Sequence, residues 1–583
     1  VRLLRSELGV SDPVAQVLVR RGFADPGRAR AFLQAAEEHA PERFRGIGDA
    51  VQTIMRHASG DGLITIHGDY DVDGVCSTAV LVRTLRGLGA NVDFYIPDRA
   101  GDGYGLSLET VHRLAGRGTR LLVTVDCAIT AVDEVACAKA LGLDVVVTDH
   151  HAPRADGELP NAPVVHPQLC GYPCPEICAT AVAHKLARAL LDAGARDGGL
   201  LQGARRELAD RTLEADLALV ALATVADVMP LLGENRTLVR RGLRALAATS
   251  SPGLRALMAV AGVDPTRVNE RSLGFALAPR VNAAGRLYRA DAGLELLLTD
   301  DPARAGEIAR ELDSANRERR EIELRIRIEA EAQIAEAGER SAYVLAGEGW
   351  HAGVIGIVAS RLVEQRRRPV VLIALDGDTG KGSGRSIDPF DLLAGLTACD
   401  GHLLRYGGHR AAAGLEIEAA RVDDFAAALC SHADHRLRGE DLAPVERVDA
   451  VLGGDELGMA LAEELQTLAP FGRGNPGVSL LVADATFSDV RPMGEGKHAR
   501  FTVQSRGARA RGVAFGGGGR LPVEEGVAAE ATFRLEVNEF QGVSEPRLVL
   551  RQARPLEPAS GAGDEPEDAA ALADEELVLF ALP

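Results

Sequence analysis

Between residues 60 and 166, short apolar β-type runs recur at intervals of roughly 20 to 30 residues, separated by helical stretches. The runs are LITI (63–66), VDFYI (92–96), LLVTV (121–125), LDVVV (143–147) and PVVH (163–166). β-branched runs bounded by helical segments imply βαβ units, so this stretch is expected to build a parallel sheet with helices on both faces. Sheets of that kind bind their ligands beyond the carboxyl ends of the strands.

Three of the runs end in groups that carry chemistry. LITI leads into His67, Asp69 and Asp71, LLVTV into Asp126, and VVVT into Asp149, His150 and His151, while a later helical stretch gives way to Asp227. Residues two apart in an extended chain point to one side, so Asp69 and Asp71 are expected to converge, and two carboxylates held that close require a cation or a proton between them. Asp73, the third acid of the run, is read as a cap for a helix beginning near Gly74. A lone Asp after a strand is usually a turn or cap residue. The coincidence of a D-x-D, a single Asp and a His pair at the ends of three strands instead points to a site for Mn2+ or Mg2+, built from carboxylates and imidazoles.

The rest of the chain divides by pattern. Residues 1–48 carry helical signals and are read as an N-terminal helical cap, with residues 49–300 as the first α/β domain. The charged segment "NRERREIELRIRIEAEAQIAE" belongs to a connecting helix at 301–338, more closely 302–337. A second α/β pattern occupies 339–440, with strands YVLAG and VVLIAL around a helix from Val354 to Gln365. Five short strands within 441–555 suggest a small barrel of the OB type. Residues 556–583 form an acidic tail holding eight Asp and Glu and no Lys or Arg.

The net charge of −19 argues against nucleic-acid binding taken alone, but the tail supplies eight of those charges, and binding depends on local patches. Eight cysteines in 583 residues argue against a disulfide framework, and Cys170, Cys174 and Cys178 are read as packing thiols because their spacing matches no common zinc pattern. With no long apolar window and no basic-then-apolar leader, the chain is expected to be soluble and cytoplasmic, without membrane contact.

"HGDYDVDG", "VTVDCAI", "VTDHH" and "TVADVMPL" resemble the four motifs of the DHH phosphoesterase superfamily. "RVNAAGRL" (280–287), "GWHAGVIGIVASRL" (349–362), "GKGSGRS" (380–386) and "RYGGHRAAAGL" (405–415) are similar to the DHHA1-type domain that accompanies it. The resemblance implies two α/β catalytic domains, DHH and DHHA1-type, joined by a long helix and followed by an OB-fold β-barrel. It also implies a 5′-to-3′ exonuclease that hydrolyses phosphodiester bonds of single-stranded DNA in repair and recombination, using two metal ions.

On this resemblance His67, Asp69, Asp71, Asp126, His150 and Asp227 are the metal-ligand candidates, with Asp126 as bridge. His151 either binds metal or hydrogen-bonds the scissile phosphate. The "GKGSGRS" loop (Ser383, Arg385) with Arg99 of "IPDR" is expected to hold the 5′-terminal phosphate, Arg280, Asn282 and Arg286 to touch the DNA backbone, and His409 to lie at the same cleft. Phe501, Phe515 and Phe540 are candidates for base stacking on the barrel, each as readily core. The chain is expected to be a monomer, with single-strand-binding protein, a helicase or other repair proteins as partners. The competing readings are a DHH phosphodiesterase of short oligonucleotides or cyclic dinucleotides, and a DHH-derived scaffold without metals.

Overall fold

A computed structural model describes residues 1–98, 105–196, 200–287, 289–439, 442, 445–540 and 542–556. Arg99 and the tail from 557 onward lie outside the described residues, as does the side chain of Phe540. The chain forms two compact units, one of residues 39–229 and 241–443, the other of residues 1–38, 230–240 and the segment from 444 onward. Among the described residues no helix is long and apolar enough to cross a membrane.

The larger unit contains both α/β layers. Its first sheet is built from β1 (Leu63–His67), β2 (Val92–Tyr95), β3 (Thr119–Val125), β4 (Asp144–Thr148) and β5 (Val164–Val165). All neighbours are parallel, in the order β2-β1-β3-β4-β5. The apolar runs become strands because both faces are covered, leaving Ile64, Ile66, Leu121, Val123, Val146 and Val147 with no solvent contact. The chain steps from β1 to β2 on one side and then crosses to β3 on the other, so the order reverses between β1 and β3. That reversal is the switch point at which such sheets bind ligands. In register, His67 is level with Thr124 and Val125 with Thr148, which brings the three loops carrying the acidic and imidazole groups to one edge.

A 36-residue helix, Pro302–Ala337, connects the two layers as the sequence suggests, starting with Pro302 behind the N-cap Asp301, whose side chain accepts the Ala303 N–H. The second sheet has the order β6-β7-β8-β10-β9, formed by β6 (Tyr343–Glu348), β7 (Val370–Asp376), β8 (Thr379–Arg385), β9 (Arg405–Gly408) and β10 (Ala412–Glu418). "GKGSGRS", expected to be a loop, is strand β8 in the interior of this sheet, antiparallel to β7 and β10. Gly380, Gly382 and Gly384 make this possible. A Cβ on each would stand 2.6 Å, 2.7 Å and 2.8 Å from the nearest atoms of Ile373, Leu415 and Leu392 respectively, so that face can be packed only where side chains are absent.

In the smaller unit, β12 (Leu480–Met493), β13 (His498–Ser505), β14 (Ala508–Ala514), β15 (Ala528–Phe540) and β16 (Val543–Pro555) form a barrel closed by β12 pairing with β15. A short strand β11 (Ala450–Val451) pairs in parallel with the start of β12. Residues of the N-terminal helices, among them Leu4, Val14, Leu18 and Phe32, share one core with Phe487 and Phe533 of the barrel. Phe501 belongs to that core as well, 5.2 Å from the Phe487 ring, so it presents no platform to a nucleic acid; Phe515 is exposed.

Candidate active site and metal centre

The helix that follows β1 begins at Val72 and not beyond Gly74, because Asp71 is itself the N-cap: its carboxylate accepts the N–H groups of Asp73 (2.9 Å) and Gly74 (3.1 Å). Asp73 therefore does not cap its own helix. Its buried carboxylate accepts from Ala179 N–H (2.7 Å) and from Thr180 N–H (2.7 Å) and Oγ1 (2.6 Å), capping the neighbouring helix Ala179–Gly194. A D-x-D-x-D run whose middle acid is the cap leaves the third acid free to turn inward, and that spacing was the signal for it.

Around this turn the predicted residues come together. Asp69, Asp71 and Asp126 offer ligand atoms within 4.8 Å of one another, as do Asp126, His150 and His151, and likewise Asp73, His150 and Asp227. His150 Nε2 stands 3.2 Å from Asp126 Oδ1 and 3.7 Å from both Asp73 Oδ2 and Asp227 Oδ2. Asp126 and His150 each belong to two of the three groups, which is the arrangement shared ligands would have. His67 is buried beside them but belongs to none of these groups; its Nδ1 lies 3.5 Å from Cys127 Sγ.

Asp149, to which the sequence assigned no role, organises the His pair. It accepts N–H bonds from Ile129 (2.9 Å), His150 (2.7 Å) and His151 (3.1 Å), and the His151 ring contacts it through Nδ1 at 2.8 Å. Burial would raise the Asp149 pKa, but the His151 hydrogen bond and charge outweigh it and hold the carboxyl below its usual range. Burial would lower His151, yet its bond to Asp149 and the charges of Asp149, Asp227 and Asp73 push it up to about 9.

The site carries unbalanced negative charge. Burial, followed by the charges of Asp73, Asp71, Asp69 and Asp149, drives the Asp126 carboxyl far above its ordinary range, and burial with the Asp73 charge raises Asp71. Asp126 Oδ1 is buried and, among the described residues, accepts no hydrogen bond, with His150 Nε2 close by at 3.2 Å. An orphaned carboxylate oxygen amid four other acids, with imidazoles and no thiolate in the set, fits a hard divalent cation such as Mn2+ or Mg2+. The backbone is also strained here: Asp126 has φ 62°, and Val228, next to Asp227, has φ 54°.

A cavity of about 950 Å³ opens beside the centre, lined by Tyr70, Arg286, His351, Lys381, Ser383, Arg385 and Arg405 among others. Lys381, Ser383 and Arg385 alternate with the glycines of β8 and face the cavity side. Arg385 donates to Ser383 Oγ (3.0 Å), and Arg286 donates to the Gly353 carbonyl (3.1 Å). Three other predicted contacts fall elsewhere. Arg280 is buried in an ion pair with Asp313 (2.9 Å) and bonds the Ala276 carbonyl, so it holds its helix in place. Asn282 accepts the Val72 N–H (3.0 Å), fastening the helix that carries Asp73. His409 is exposed and does not line the cavity; its backbone N–H donates to Ala412. Cys170 bonds the Val164 carbonyl and Cys178 meets Thr224, so these two thiols pack separately.

Residues 63–222 match the DHH family, N-terminal domain, residues 339–433 the DHHA1 domain, and residues 448–552 the RecJ OB domain. The chain is 38% identical over 566 residues to the single-stranded-DNA-specific exonuclease RecJ of Bacillus subtilis, covering 95% of this chain and 69% of that protein. With the RecJ of Escherichia coli it shares 36% identity, over 92% of this chain and 96% of the relative. The crystal structure of RecJ in complex with Mn2+ from Thermus thermophilus superimposes with a TM-score of 0.81 at 32% identity, covering 96% of this chain and 78% of that one, and its Mg2+ complex with a TM-score of 0.76. With DHH, DHHA1 and RecJ OB domains in one chain and 36–38% identity to RecJ proteins over more than nine tenths of its length, the chain belongs to the RecJ family of the DHH superfamily.

Proposed function

We propose that the chain is a metal-dependent exonuclease that removes nucleotides from the 5′ end of single-stranded DNA. The observation that carries this reading is the pair of adjoining features in one unit: overlapping carboxylate and imidazole groups, and a cavity whose wall presents Ser383 and Arg385. When bound, two Mn2+ or Mg2+ ions supply Lewis-acid polarisation of the scissile phosphate and lower the pKa of the attacking water. Asp69, Asp71, Asp73, Asp126, His150 and Asp227 are the residues that would hold them.

The chain's own groups do the remaining work. Arg385 and Ser383, with Arg286 lining the same cavity, bind the terminal phosphate and fix which phosphodiester faces the centre. His151, oriented through Nδ1 by Asp149, hydrogen-bonds the scissile phosphate. Thr180 and the Ala179 amide hold Asp73 in place, a supporting contact of the kind that sets ligand orientation. The barrel, a fold of the OB type, is a second surface for single-stranded DNA, with Phe515 as an exposed aromatic on it.

Digestion of a long oligonucleotide, labelled first at one end and then at the other, tests this reading beside the matching duplex. Loss from the 5′ end of the single strand, dependent on Mn2+ or Mg2+ and halted by chelation, is expected; internal nicking or chelator-resistant cleavage overturns it. We further assign the activity to a cytoplasmic monomer acting in repair and recombination, with the acidic segment 556–583 as the docking point for single-strand-binding protein, a helicase or another repair protein. Sedimentation of the chain, alone and with each candidate partner, checks both: a stable dimer, or no association with any of them, sinks the corresponding assignment.

A further inference from the structure

The segment from Leu273 to Leu287 is one continuous helical wall that lines the cavity at one end, through Gly285 and Arg286. It starts as a widened, π-helical turn (Leu273–Leu277) and continues as an α-helix (Ala278–Leu287). At its far end, Gly285 packs so closely on Tyr70 that a Cβ would stand 2.6 Å from the Tyr70 carbonyl oxygen, and Arg286 lines the cavity assigned to the terminal phosphate. In its middle, Asn282 bonds Val72, the residue after Asp71. At its near end, Gly274 packs on Val225, two residues before Asp227, with only 3.3 Å between Val225 Cγ1 and a Cβ at this position. The wall thus passes the phosphate cavity, then the metal-ligand candidates, and then reaches Phe275, roughly 16 Å from Arg286 at 1.5 Å per residue.

Phe275 is the anomaly of this wall. The residue is 75% exposed although it is a large apolar side chain on a segment otherwise packed against the active site, and the Arg271 guanidinium stands 6.0 Å from the ring centroid. A widened helical turn is rare and occurs frequently at functional sites. Here it separates Phe275 from the buried Leu273 and Leu277 on either side. An exposed aromatic face with a guanidinium beside it suits one occupant: a nucleobase stacked on the ring, with its phosphate near the cation.

We propose that Phe275 is a positioning residue that stacks a base of the DNA strand on the 3′ side of the scissile bond, with Arg271 meeting the neighbouring phosphate. The direction follows from the order of features along the wall, because a strand whose 5′ phosphate occupies the cavity reaches Phe275 only after passing the metal centre. The proposal rests on the single-strand nuclease reading. It adds a contact that holds the substrate in register without touching the reacting atoms.

The test uses the full chain with Mn2+ and 5′-phosphorylated single strands, comparing wild type with Phe275→Ala, Phe275→Leu and Phe275→Trp. Since the ring is exposed, none of these removes a core contact. Alanine is expected to raise KM roughly 5- to 100-fold, in line with the loss of one base stack, with little change in kcat. Tryptophan restores KM and leucine does not. An abasic site moved one position at a time from the 5′ end should raise KM for the wild type at one position and have no further effect there in Phe275→Ala. A leucine variant equal to wild type, or an abasic penalty that persists undiminished in Phe275→Ala, overturns the proposal while leaving the nuclease reading intact. A wild-type chain inert on single strands overturns both.

Discussion

Thr180 holds the Asp73 carboxylate at two points, through its backbone N–H at 2.7 Å and its hydroxyl at 2.6 Å, both to Oδ1. Asp73 Oδ2 accepts the Ala179 N–H at 2.7 Å and stands 3.7 Å from His150 Nε2. The helix Ala179–Gly194 thus receives its N-terminal cap from another helix, and the metal centre receives a fixed carboxylate from the same contact. Replacing Thr180 by Ala keeps the amide and removes the hydroxyl. The expected result is a folded protein whose Mn2+ affinity falls about 10- to 100-fold, as for other supporting contacts of metal ligands. Titration calorimetry with Mn2+ checks this, and an unchanged affinity would show that the hydroxyl serves only the helix.

Asp126 separates function from stability. Its carboxyl is raised far above the ordinary range by burial and then by four neighbouring acids, so in the metal-free protein it opposes folding. For a group whose pKa is higher folded than unfolded, stability is fully present below the unfolded value and is lost as pH rises toward the folded one. Asp126→Asn cannot ionise, and asparagine tolerates the left-handed backbone at φ 62°. The variant is expected to lose nuclease turnover by at least about three orders of magnitude on the view that the ions supply most of the catalysis. In chelator at neutral pH it should melt above the wild type, by a margin that widens as pH rises. A lower melting temperature would contradict the electrostatic account.

How much of this was legible beforehand depends on how local the cause is. The strands of the first sheet could be read because LLVTV and its neighbours are buried on both faces, which forces uniform apolar runs. The long helix and the five barrel strands could be read from their charge and alternation patterns. β8 could not, since Gly380, Gly382 and Gly384 have poor strand propensity and are placed by what β7, β10 and Leu392 pack against them. The direction of Asp73 depended on Thr180, 107 residues away, and the burial of Arg280 on Asp313, 33 residues away. Likewise, nothing in residues 1–38 announces that Leu4 and Phe32 share a core with Phe533.

Val228 shows strain that can be measured directly. A β-branched residue at φ 54° is an outlier, and Val228 is mostly exposed, so its side chain gains little from burial there. Asparagine adopts this conformation readily and, unlike glycine, adds little freedom to the unfolded chain. Val228→Asn is expected to stabilise the larger unit by about 1 kcal/mol, the scale of a left-handed penalty. Urea unfolding followed by far-ultraviolet circular dichroism tests it. A loss of stability would mean that Val228 makes a packing contact worth more than its backbone strain.

Asp216 supplies a pH-dependent term outside the metal centre. It is buried beside Arg83, which donates to its carboxylate and also to the Leu297 carbonyl. Burial raises its pKa to about 6, with the Arg83 charge and hydrogen bond only partly offsetting that rise. Because the folded pKa exceeds the unfolded value of 3.8, the contribution to stability is complete below about pH 4 and disappears as pH climbs through 6. A shift of about two units corresponds to roughly 3 kcal/mol. Asp216→Asn lacks this titration, while Arg83 keeps its charge throughout that range. Between pH 4 and 6.5 the wild type should therefore lose roughly that much stability relative to the variant, with a constant difference above the window. Parallel curves across it would place the Asp216 pKa near its unfolded value and make the Arg83 contact, rather than burial, the dominant influence on this carboxylate.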